Sequence, residues 1–107
     1  MSNVDRVVIK YQEAASEFDR MAQAANEMAQ QTNQVKNVTS SVVGSGWIGR
    51  DAQAYSQTVE RYTAKLNQQA EGMLQVVDKL RKQAEDSFQK ELADAKRADS
   101  ELLLYLH

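Results

Sequence analysis

From Val4 to Val42, side chains at alternating steps of three and four residues are Val4, Val7, Tyr11, Ala14, Phe18, Met21, Ala25, Met28, Thr32, Val35, Thr39 and Val42. Ten of these twelve are apolar, where the overall composition gives about five. Such a repeat is the seam of a long helix in a supercoiled bundle. No proline interrupts it, and none occurs anywhere in the 107 residues, so the commonest helix breaker is missing. Val8, Ala15, Ala22 and Ala29 widen the stripe on one side, a width that suits packing against more than one neighbouring helix. Ser2 can cap the amino end, with Asp5 three residues later as a weak capping box.

Three of the four glycines fall within Gly44-Ser45-Gly46-Trp47-Ile48-Gly49. Glycine is favoured where a helix ends in the left-handed region, so this stretch is the turn of the molecule. A second periodic segment follows, with Ala52, Tyr55, Val59, Tyr62, Leu66, Ala70, Met73, Val76, Val77 and Leu80 at helical spacing. Gly72 interrupts it at a cost of about 1 kcal/mol, which a long helix absorbs. Beyond Leu80 the apolar positions Ala84, Phe88 and Leu92 are spaced by four, a drift that locally unwinds a left-handed supercoil. Asp78, Lys82, Asp86, Lys90 and Asp94 alternate in sign at the same interval, each pair offering about 0.2–0.5 kcal/mol to an exposed helix.

The expected organisation is a single helical-hairpin domain over residues 1–107: helix 1 at about 3–43, the turn at 44–49, helix 2 at about 50–90 and a helical tail at about 91–107. A first helix of about 40 residues is ~60 Å long and the chain from Arg50 onward ~85 Å. Roughly the last fifteen residues are therefore expected to protrude past the amino end of helix 1. They finish in Leu102, Leu103, Leu104, Tyr105 and Leu106. This apolar end reads either as a frayed terminus or as a ligand for a groove on another molecule, through Leu102, Leu103, Tyr105 and Leu106.

Two helices make one layer, and one opposing helix cannot cover so wide a stripe. The economical solution is all-α: two antiparallel hairpins packed face to face as an elongated four-helix bundle. Tyr11, Phe18, Met21, Met28, Tyr55, Val59, Tyr62, Leu66 and Met73 are the expected dimer interface.

The residue inventory offers no enzyme chemistry. The one histidine is His107 and there is no cysteine, so neither a Ser/His nor a Cys/His nucleophile system can be assembled. The Glu-x-x-His pairs of a di-iron bundle are absent. No catalytic, cofactor-binding or metal-binding residue is expected. Thirteen Lys/Arg against fifteen Asp/Glu leave a formal charge of −2, mixed along the chain, with no basic face for nucleic acid. The amino end has no pattern of a Sec-type signal, and the Leu-rich end is too short to span a bilayer. Stable membrane insertion is not expected.

Trp47 sits alone in the glycine-rich turn. Its ring can cover the open end of the helical layer, or serve as the aromatic anchor of an interface. With a length near one hundred, the central Trp47-x-Gly49 between two long helices, and Ala52 and Tyr55 behind it, the sequence resembles the WXG100 family of type VII (ESX-like) secretion over about residues 1 to 90. The resemblance implies a homodimer, or a heterodimer with another WXG100-like chain. It makes Trp47 and Gly49, with Gly46, the signature turn, near the groove between subunits and available to the secretion ATPase. The carboxy-terminal Tyr-x-x-x-Asp/Glu signal of many exported members is absent here: Ala15, Val59 and Leu66 stand four residues after Tyr11, Tyr55 and Tyr62. The leading expectation is a non-enzymatic dimer, secreted without a leader after a cytoplasmic stage. The alternative is an intracellular adaptor pairing with a larger toxin or effector, and a membrane-active helix pair ranks third.

Overall fold

The structure, a computed structural model, describes residues 1–106. Helix α1 spans Asn3–Val42 and helix α2 spans Arg50–Leu106. Among the described residues the only extended pairing is an isolated bridge between Val43 and Trp47. The two helices pack against each other as the expected helical hairpin. The chain divides into two compact units: unit 1 joins Met1–Met21 to the chain from Val76 onward, and unit 2 is Ala22–Gln75.

Within each unit the helix contact is made by small side chains. Ala25, Ala52 and Ala70 are buried in unit 2 together with Thr32 and Thr63, and Val77 and Ala95 are buried in unit 1. Small residues let two helix backbones approach closely, and the larger apolar groups of the seam are left to either side of the contact. The two buried threonines keep their hydroxyls satisfied within their own helix: Thr32 Oγ1 donates to the Met28 carbonyl at 2.8 Å and Thr63 Oγ1 to the Val59 carbonyl at 2.8 Å. Without those bonds each hydroxyl would carry a desolvation cost.

Unit 1 is held by more varied contacts. The rings of Tyr11 and Phe88 stack with centroids 4.3 Å apart and planes 22° from parallel. Tyr11, expected at an interface between molecules, is thus used inside its own chain. The Arg81 guanidinium donates to Asp19 at 2.9 Å, an exposed pair of small energetic weight. The alternating ladder from Asp78 to Asp94 is exposed, but its members form no ion pairs with one another among the described residues; Asp94 instead lies 4.0 Å from Arg97. The ladder solvates that face of α2 without bracing it.

The amino end of α1 carries the expected capping box. Asp5 N donates to Ser2 Oγ at 3.1 Å and Ser2 N to the Asp5 carboxylate at 3.2 Å. The N–H groups that the box leaves free go to α2, since Asp99 accepts from Asn3 N at 3.1 Å, Val4 N at 3.1 Å and Asn3 Nδ2 at 3.0 Å. These bonds, with Val4 N first, hold the Asp99 carboxyl below its ordinary value against an opposing desolvation. A negative group is also favoured at the positive end of a helix dipole. A residue that caps a helix must stand beyond its end, so α2 stays engaged as far as Asp99, and Ala95 is buried on the way. The paired part of α2 therefore runs past residue 90, where equal helix lengths had placed the start of the tail. Leu102 to Leu106 are the part that protrudes, each more than half exposed.

Candidate functional site

The turn is shaped by two glycines. Gly44 takes φ +96° and Gly49 φ +113°, a region that side chains with a Cβ rarely enter. Gly44, two residues past the end of α1, reverses the chain so that the Val42 carbonyl accepts from Gly46 N at 3.1 Å and Trp47 N at 3.0 Å, while Gly44 N donates to the Trp47 carbonyl at 2.8 Å. Gly49 opens α2, its carbonyl accepting from Gln53 N at 3.1 Å. Gly46, read as part of the signature, has neither a positive φ nor a tight contact: an added Cβ would lie 3.9 Å from the Val42 carbonyl. Gly44 takes the role expected of Gly46, and its place just past a helix end was a legible signal for it.

Trp47 packs its ring on Tyr55, centroids 5.4 Å apart at 51°, and keeps 40% of its surface exposed. The two readings of this residue are therefore compatible in one geometry. Its neighbour Ile48 is 75% exposed.

Next to this turn, in the same unit, lies an apolar groove of about 470 Å³. Met28, Gln31, Thr32 and Val35 line it from α1, and Tyr55, Thr58, Val59, Tyr62, Thr63 and Leu66 from α2. Five of the residues expected at an interface, Met28, Tyr55, Val59, Tyr62 and Leu66, come together here. Met73 is exposed in unit 2 and Met21 in unit 1, while Phe18 is half-buried in unit 1. No charged residue lines the groove. On its α2 edge, Thr58, Arg61, Tyr62 and Lys65 form a smaller notch of about 180 Å³, with the Lys65 ammonium 5.8 Å from the centre of the Tyr62 ring, within range of a cation–π attraction.

The accessible surface is large for a chain of this mass. The accessible area is 8412 Å² for 12.0 kDa, whereas a compact monomer of that mass exposes about 6,000 Å². The excess of roughly 2,400 Å² is about three times the ~800 Å² that one partner contributes to a standard protein–protein interface. No helix is long and apolar enough to cross a membrane among the described residues.

The fold and groove define a class: a helical hairpin that presents an uncharged apolar face beside a Trp-x-Gly turn. The chain belongs to the PPE family, whose model matches residues 9–96. That match takes in the turn, the groove and most of both helices. No curated protein and no solved structure matches the chain. PPE proteins are non-enzymatic proteins associated with type VII (ESX) secretion, where they pair with PE proteins. The expected kinship holds at the level of a type VII (ESX)-associated family: the family shown is PPE, related to the WXG100 family that the sequence resembles but distinct from it.

Proposed function

We propose that this chain is a non-enzymatic substrate of a type VII secretion system, exported while paired with a second helical hairpin. The single observation that carries the reading is the uncharged groove of unit 2, with Tyr55, Tyr62, Leu66 and Met73 exposed along one side of α2. Exposed aromatic and aliphatic groups concentrated on one face mark a partner surface. The pairing of PPE proteins with PE proteins supports a partner that is a different chain. Beside the groove, Trp47 and Ile48 remain open to a further contact with the secretion ATPase.

Export is tested by blotting the cell and culture fractions of strains with and without the secretion ATPase. The expected result is protein in the medium only when the ATPase is present. Retention in the cytoplasm of both strains would support the adaptor reading, and recovery of a stoichiometric larger toxin or effector with this chain would identify its cargo.

A further inference from the structure

The lining of the unit 2 groove is entirely uncharged, but its α2 edge is not. Arg61 and Lys65 stand one helical turn apart on the same side of α2, beside Tyr62, and both side chains line the notch that adjoins the groove. Neither is in an ion pair among the described residues, since the bridges found there are Glu17 with Arg20, Asp19 with Arg81 and Asp94 with Arg97. Gln31 and Val35 line the groove from the facing helix, and no acidic residue lines the groove or the notch; the carboxylate of α1 nearest in sequence to that lining is Glu27, beside Met28. Glu60 lies elsewhere, lining a separate small hollow with Lys36, Ser40 and Ser56.

An apolar trough with one positive edge selects for shape and for charge together. The trough takes the apolar stripe of a helix, and the edge favours a helix whose flank carries carboxylates, because opposite charges at a rim steer encounter and fix register. A lysine-flanked helix would set like charges side by side. We infer that the partner of unit 2 is an amphipathic helix from another chain, bearing glutamate or aspartate along the flank that meets Arg61 and Lys65. The inference rests on the reading of unit 2 as a partner face, and it specifies that partner by its chemistry.

The test uses the full chain and three synthetic helical peptides that share one leucine stripe and differ only in their flank, which is glutamate, glutamine or lysine. Binding is followed by fluorescence anisotropy of labelled peptide at low and high salt. The glutamate peptide is expected to bind roughly tenfold tighter than the glutamine peptide at low salt, with the advantage shrinking as salt rises. In the double variant Arg61→Glu, Lys65→Glu the preference is expected to pass to the lysine peptide, and circular dichroism checks that the variant stays helical. Equal binding of all three peptides, or a preference unchanged in the double variant, overturns the inference while leaving the groove a partner face. If no peptide binds and the chain sediments as a dimer of itself, a second copy occupies the groove and the acidic partner is overturned. If no peptide binds and the chain is monomeric, the partner-face reading falls as well.

Discussion

Units 1 and 2 are nearly equal in length and built from the same two helices, but they divide the charge unevenly. Unit 1 holds nine of the thirteen Lys/Arg and eleven of the fifteen Asp/Glu, and unit 2 holds four of each. Unit 1 uses its aromatic pair internally, Tyr11 on Phe88, and covers its outer face of α2 with solvated charges. Unit 2 leaves Tyr55 and Tyr62 more than half exposed and lines its groove without a charge. Water suits the charged face of α2 in unit 1 and not the groove of unit 2; the exposed Leu102 to Leu106, which also belong to unit 1, are the exception. The contrast teaches that one hairpin can carry both a charged stretch and an uncharged, apolar-lined one, although the seam of apolar residues runs through both.

The sharpest way to break the comparison is to place a charge in the groove. Tyr62→Glu with Leu66→Asp is expected to weaken partner binding at least about 100-fold, the scale of a lost hot spot, while thermal melting of the isolated chain changes little. The counterpart in unit 1 is Phe88→Ala, which removes the ring stacked on Tyr11. It is expected to cost about 2 kcal/mol in urea unfolding and to leave partner binding within about twofold once the chain is folded. If Phe88→Ala instead abolished binding at full helicity, the division of labour between the units would be wrong.

Smaller effects sharpen the picture. Gly49→Ala forces a Cβ into φ +113° and is expected to cost about 1–2 kcal/mol, whereas Gly46→Ala is expected to be nearly neutral, as read by melting temperature. Replacing Leu102, Leu103 and Leu106 by serine is expected to change stability by less than about 0.5 kcal/mol, because each is more than half exposed; a large loss would show that the tail is part of a core.

The smallest effect concerns Asp99. Its pKa is lowered in the folded chain, most by the bond from Val4 N, so its carboxylate stabilises the amino end of α1 at neutral pH. That contribution is lost as pH falls below the ordinary value of 3.8 toward the lowered one. The amide shifts of Asn3 and Val4 are expected to report this acid transition in NMR titration, and Asp99→Asn is expected to abolish it.

Much of the fold was legible because helix periodicity is a local property. The alternation from Val4 to Val42, the glycine cluster and the absence of proline point to two helices and one turn, and Ser2 with Asp5 marks where the first helix begins. The candidate site was legible in part. Met28, Tyr55, Val59, Tyr62 and Leu66 lie on one side of their helices by spacing alone, and they meet in the groove. Tyr11 has the same spacing and goes to Phe88 instead, because a periodic pattern does not distinguish a contact within a chain from one between chains. The cap supplied by Asp99 left no local trace, since Asn3 and Asp99 are brought together only when α2 returns along α1.

By itself, then, the order of residues determined that this chain is helical, where it turns, and which sides of its helices are apolar, all consequences of hydrogen bonds and side-chain spacing within a few residues. Tertiary structure decided which apolar groups are spent inside. The close contact falls to Ala25, Thr32, Ala52, Thr63 and Ala70 in unit 2 and to Val77 and Ala95 in unit 1. In unit 2 the larger side chains of the same stripe are left facing outward, because two helices can approach closely only where their side chains are small.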